Sequence, residues 1–175
     1  GPRHQDRAAI QFHAQPVACF ACGPRLALWD AAGQVLSRDD DALLDATRAI
    51  RNGAIVAIKG IGGFHLVVDA RSDTAVRRLR ERKSREEKPL ALMVRDLASA
   101  RALAEVSEDE ARYLAGPEAP ILLLAARDGS GVAAGVAPGS GTLGLMLPAT
   151  PLHHLLVRAV ERPLVATSGN LGEEP

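Results

Sequence analysis

An α/β fold, a largely buried sheet with helices packed against it, is what this sequence predicts, on three observations. Compact apolar runs recur along the chain, at Ala54–Ile58, Phe64–Val68, Leu90–Val94, Ile121–Ala125, Leu143–Leu147 and Leu164–Thr167, each of strand length. Most are separated by amphipathic segments that open on Ser, Thr or Asp, the pattern of capped helices. The composition, 47% hydrophobic and 24% charged over 175 residues, is ordinary for one globular domain and wrong for disorder. With three Phe, one Trp and one Tyr, the core has to be built from Ala, Val, Leu and Ile.

In chain order, residues 1–25 read as an irregular tail. Leu26–Trp29 and Val35–Leu36, on either side of Gly33, suggest a short hairpin. Asp39, Asp40 and Asp41 are expected to cap a helix from about Ala42 to Arg51, which Asn52-Gly53 ends. Ala54–Ile58 is expected to be a strand buried on both faces. It leads through Lys59-Gly60-Ile61-Gly62-Gly63 into the strand Phe64–Val68. Ser72-Asp73 caps the next helix, which runs to about Arg85. Lys88-Pro89 stops it, because the residue before a proline disfavours helical geometry.

After Leu90–Val94, Asp96 caps a helix to about Glu105, and Ser107 with Glu110 has the spacing of a capping box. Ile121–Ala125 reads as a further buried strand. Residues 127–141, rich in Gly, Ala and Ser, read as a mobile loop or lid. Leu143–Leu147 is another strand. Thr150 caps a helix to about Glu161, with Pro151 at its first position. His153 and His154 lie in its first turn, pointing about 100° apart, so one meets the core or a cleft and the other solvent. Leu164–Thr167 then empties into Ser168-Gly169-Asn170.

Lys and Arg together number 21, as do Asp and Glu, and this neutrality argues against a general nucleic-acid coat protein. Against that balance, Arg77, Arg78, Arg80, Arg82, Lys83, Arg85 and Lys88 crowd one helix-to-strand corner, where a polyanion can be gripped. Lys59 at a strand end beside its glycines is a charge that wants an anion. It precedes the glycines, so the loop is not a Walker motif. Ser168 and Asn170 offer a hydroxyl and an amide to a phosphate or ribose. Ligands of open α/β sheets collect where strands end, and these three groups together point to a cleft for a phosphorylated ligand. No apolar run approaches the ~20 residues of a membrane helix. Two cysteines make no disulfide scaffold, and a reducing cytoplasm is the expected compartment. Their spacing, Cys19-Phe20-Ala21-Cys22-Gly23, fits half of a zinc site with its other ligands upstream, or two ordinary thiols.

Five motifs occur in a specific order and spacing. They are Gln15-Pro16 with Ala18-Cys19 and Cys22-Gly23-Pro24; Lys59 to Leu66; Arg82-Lys83-Ser84-Arg85-Glu86-Glu87-Lys88-Pro89; Leu147-Pro148 with Thr150 to Leu156; and Thr167-Ser168-Gly169-Asn170. In these the chain resembles the YrdC-like domain of the HypF carbamoyltransferases, which mature [NiFe]-hydrogenases, with the end of the zinc-finger region that precedes it. The resemblance implies a tail, residues 1–25, carrying half of a zinc-finger C-x-x-C site, and a YrdC-like domain over 26–175 that is cut short at its C-terminus. It implies a twisted mixed sheet flanked by helices, with a positively charged concave surface that binds ATP.

The same resemblance implies the chemistry. Carbamate derived from carbamoyl phosphate is joined to AMP with loss of pyrophosphate, with Mg2+ as helper. The carbamoyl group passes through other HypF domains to the C-terminal cysteine of the partner HypE, and becomes a cyanide ligand of the hydrogenase. Residue by residue, Lys83 and Arg85 match the K-x-R pair, the expected catalytic and phosphate-binding cations. Ser168 and Asn170, with Thr167, match S-x-N, while Lys59, His65 and Lys88 are carried over to the same cleft. Cys19 and Cys22 match the last zinc-binding pair. Phe20, Ala149 and Gly169 depart from the family's usual residues. Two other functions compete: threonylcarbamoyl-AMP synthesis for tRNA modification, which shares K-x-R and S-x-N, and a basic-groove module for double-stranded RNA.

Overall fold

Period-two alternation along the strands decides which helix each side chain meets. The computed structural model describes residues 23–60, 63–84 and 87–170. In it, β1 (Ala27–Trp29) and β2 (Val35–Arg38) form an antiparallel hairpin. There follow α1 (Asp39–Arg51), β3 (Val56–Lys59), β4 (Phe64–Asp69), α2 (Asp73–Lys83), β5 (Ala91–Met93), α3 (Leu97–Leu103) and α4 (Glu108–Leu114). The chain continues as β6 (Leu122–Ala125), a short 3-10 turn (Ala134–Val136), β7 (Thr142–Met146), α5 (Pro151–Val160) and β8 (Leu164–Ser168). The main sheet has six strands in the order β3-β4-β8-β5-β7-β6. Only the β5–β7 pair is parallel, so the sheet is mixed. The expected α/β class holds.

Two apolar clusters sandwich this sheet. Val68, Leu92, Leu145 and Val165 point to one face, where α2, α3 and α4 bring Val76, Leu79, Leu103 and Leu114. Val67, Met93, Leu164 and Ala166 point to the other, where α1 and α5 bring Ile50, Leu156, Val157 and Val160. Full burial of one such aliphatic side chain is worth about 1.5–3 kcal/mol. The caps read from the sequence are in place: Ser72 accepts from the Ala75 amide, Asp96 from Ser99, Thr150 from His153, and Ser107 with Glu110 closes a capping box. The Ser99 hydroxyl and amide, then Arg95, hold the Asp96 carboxyl down at about 2.

Four expectations need correction. Helix α1 begins at Asp39, not Ala42; its N-cap is Arg38, which makes no side-chain cap bond. The three aspartates fill the first turn instead, where the positive end of the helix dipole favours them. Helix α2 stops at Lys83, because Ser84 takes the left-handed conformation (φ 48°). Neither Ala54–Ile58 nor Ile121–Ala125 is buried on both faces: β3 and β6 are the outer strands of the sheet, and Leu123 is 71% exposed. Residues 127–141 are not a lid. Val136 is fully buried, its carbonyl accepts from the Leu90 amide, and Arg80 donates to the carbonyls of Gly135 and Val136. Small residues there allow close packing of backbone on α2: a Cβ on Gly135 would lie 3.1 Å from Val76 Cγ1.

Candidate functional site

The apolar cluster beneath α1 and α5 takes side chains from β3, β4, β5 and β8 but none from β6. That face of the sheet is therefore open over β7 and β6, and the opening is a cleft of about 480 Å³, within the usual range for small-molecule sites. Its floor follows the strand register. Leu123 faces Gly144 across β6–β7, Gly144 faces Ala91 across β7–β5, and His65 faces Ser168 across β4–β8. Gly144 keeps the floor low: a Cβ there would meet Ile121 Cγ2 at 3.2 Å and Leu123 Cδ2 at 3.6 Å. Pro89, from the end of the basic corner, forms part of the wall.

The first turn of α5 closes the polar end with His153. The Thr150 cap and Pro151 fix that turn, and they send His153 inward (4% exposed) while His154 is exposed. The His153 ring stacks on His65 with centroids 5.4 Å apart and planes 22° from parallel. His65 Nδ1 is buried without a hydrogen-bond partner. Burial pushes the His153 imidazole below the ordinary histidine value, and neighbouring His65 and His154 push it further the same way. The unfolded chain therefore takes up this proton more readily than the folded one. The neutral ring's contribution to stability is full above about pH 6.5 and is lost as pH falls through the lowered folded value. Urea midpoints at pH 7.5 and 5.5 are expected to fall less for His153→Gln than for the parent chain; equal falls would remove His153 as the cause.

The Ser168–Asn170 turn is held from two sides. The Gly169 amide donates to the Phe64 carbonyl at 2.7 Å. Lys83 Nζ, in a residue only 6% exposed, donates to the carbonyls of Ser168 (2.6 Å) and Asn170 (2.8 Å). The departure at Gly169 has a local reason: a Cβ would stand 3.1 Å from both Cβ and the carbonyl oxygen of Phe64.

Of the residues expected at one site, His65, Thr167 and Ser168 line the cleft. Lys83 and Asn170 meet through the turn behind it, and Lys88 is exposed beside Pro89. Lys59 goes elsewhere. Its ammonium lies 5.2 Å from the centre of the Phe64 ring, a cation–π contact, and the alternation of β3 turns it away from the cleft face that Val56 and Ile58 share. Arg85, Cys19 and Cys22 lie outside the described residues. Among the described residues no lysine or arginine lines the cleft itself, and no group of three or more His, Cys, Asp or Glu is placed to hold a metal. No described helix is long and apolar enough to cross a membrane.

The apolar floor, Ile121, Leu123, Gly144 and Met146, was not anticipated. Gly144 carried the available signal, since a glycine inside a strand often marks close approach by a ligand or another backbone.

Residues 48–175 match the Sua5/YciO/YrdC family, described as "Telomere recombination", and residues 4–29 match the family described as "HypF finger". Carbamoyltransferase HypF of Rhodobacter capsulatus is 48% identical over 172 residues, 98% of this chain and 22% of that protein. The crystal structure of full-length HypF in the phosphate- and nucleotide-bound form superposes with a TM-score of 0.80 at 44% identity, covering 94% of this chain and 21% of that one. Sua5 of P. abyssi complexed with L-threonine superposes at 0.70 with 27% identity, over 79% of this chain and 42% of that one. The chain spans about a fifth of the length of the curated relatives it matches.

Proposed function

The chain belongs to the Sua5/YciO/YrdC family, and from that premise we propose that it is the nucleotide-activating part of a hydrogenase-maturing carbamoyltransferase, one that makes carbamoyladenylate in the cytoplasm. The observation that carries this reading is the likeness to nucleotide-bound HypF, which extends over almost the whole chain. ATP would lie with its base over the apolar floor and its phosphates towards the Ser168–Asn170 turn. A carbamate oxygen, derived from carbamoyl phosphate, attacks the α-phosphorus. The bond from that phosphorus to the bridging oxygen breaks, and pyrophosphate leaves.

The residues contribute position and charge rather than a covalent nucleophile. The Ser168 hydroxyl and the turn orient the phosphates, and Arg85, two residues beyond Lys83, supplies a cation. His65 offers a hydrogen-bonding nitrogen to the carbamate, and His153, held neutral by its burial, offers another without adding charge. Among the described residues no carboxylate lines the cleft, and magnesium would arrive on the triphosphate. The carbamoyl group then moves, through the other domains of a HypF, to the C-terminal cysteine of HypE. Zinc would belong to the finger region that Cys19 and Cys22 end.

Threonylcarbamoyl-AMP synthesis is the second reading, favoured by the likeness to threonine-bound Sua5. The HypF finger match stands against it. Pyrophosphate release from ATP and magnesium separates the two, with ammonium bicarbonate in one arm and threonine plus bicarbonate in the other, and the adenylate identified by mass spectrometry. Carbamoyl-AMP is the expected product. Threonylcarbamoyl-AMP would overturn the reading, and so would failure of the chain to bind ATP.

A further inference from the structure

Lys83 ends α2, and Asn170 lies 87 positions further along the chain, yet the ammonium of the one reaches the carbonyl of the other. Two acceptors of Lys83 among the described residues, the carbonyls of Ser168 and Asn170, are backbone atoms that flank Gly169. A charged donor in a buried residue holds its acceptors tightly, because nothing in the interior replaces them. The Gly169 amide is bonded on the other side to the Phe64 carbonyl. The turn is thus gripped between a helix on one face of the sheet and β4 within it.

We propose that Lys83 is a positioning residue: it fixes the backbone of the Ser168–Asn170 turn and so sets where the Ser168 hydroxyl stands in the cleft. It acts on the nucleotide through that turn rather than as a direct phosphate cation. The assignment rests on the reading that this turn meets the phosphates, but its first consequence exists without any ligand. Removal of the ammonium frees the turn, whereas removal of a cation that only meets phosphate leaves the empty site as it was.

The test compares the parent chain with Lys83→Met and Lys83→Arg. Without ligand, hydrogen exchange of the Gly169 amide is expected to quicken at least tenfold in Lys83→Met, while the Val165 amide in the same strand keeps its rate. Lys83→Arg, which retains charged donors, is expected to restore part of the protection. Should Lys83→Met not fold, Lys83→Gln serves in its place. Unchanged Gly169 exchange would overturn the proposal whatever the ligand proves to be. A cycle with Ser168→Ala supplies the readout that a purely structural role would not move. If Lys83 acts through the turn, Ser168→Ala weakens ATP binding about tenfold in the parent and less than twofold in the Lys83 variant. Equal, additive losses would mean that Lys83 meets phosphate independently. If the parent binds no ATP, the functional reading fails, and the exchange result still decides the clamp.

Discussion

Replacing Gly144 by leucine is expected to weaken ATP binding at least a hundredfold and to leave the fold intact. Gly144 sits at the centre of the cleft floor, between Leu123 and Ala91 in register. A leucine there rises into the space the nucleotide would use. The first carbon alone meets Ile121 Cγ2 at 3.2 Å, but Ile121 and Leu123 are 54% and 71% exposed and can swing outward. The strand therefore survives, and the loss falls on the cleft. A hundredfold change is about 2.7 kcal/mol of binding free energy, readable by calorimetry alongside an unchanged circular dichroism spectrum. Full affinity in a folded Gly144→Leu chain would show that the nucleotide binds elsewhere.

The second large effect is on stability. Asp69 is 2% exposed, and its carboxylate accepts from Arg162 at 2.6 Å and from the Arg71 amide at 2.9 Å. Through these bonds it ties the end of β4 to the loop that enters β8. Breaking a buried pair by removing one partner typically costs about 3–5 kcal/mol. Arg162 is 43% exposed, so water can take over part of its solvation. Asp69→Ala is accordingly expected to cost about 2–3 kcal/mol, at the low end of that range and below it. For a chain of this size that is a fall in Tm of roughly 5–10 °C. Urea unfolding measures it, and a loss below about 1 kcal/mol would show that the pair is offset by its own desolvation.

The sequence was legible where a structure is local and opaque where it depends on what packs over it. Ser72, Asp96, Ser107 with Glu110, and Thr150 with Pro151 act within three or four residues, and each cap was readable from spacing. Ile121–Ala125 looked buried because its side chains are apolar, but its exposure is set by where α5 lies, and nothing in that segment encodes this. Residues 127–141 looked mobile because glycine, alanine and serine are common in loops. Their backbone is instead fastened by Arg80 and by the burial of Val136. His65 was named from the motif and the Ser168–Asn170 turn from motif and strand-end position, and the cleft is where the structure puts His65, Thr167 and Ser168. Lys59 lies off the cleft because the alternation of β3, not its position at the strand end, decides which face it meets. For Lys83 the motif was visible but its partners in the turn were not, since those are backbone carbonyls far along the chain.

The strand order also sets a timetable for the molecule during its own synthesis. The hairpin of β3 and β4 emerges first, and the group of β5, β7 and β6 afterwards, yet these two parts do not touch in the sheet. The strand that joins them, β8, lies between β4 and β5 and is the last strand made among the described residues. Until Leu164–Ser168 has left the ribosome, the sheet consists of two unjoined pieces, each with an open hydrogen-bonding edge. Long-range pairing of this kind is slow to form. The same five residues that join the two pieces carry Ser168 to the cleft, so the polar end of the cleft is assembled only in the step that joins the sheet.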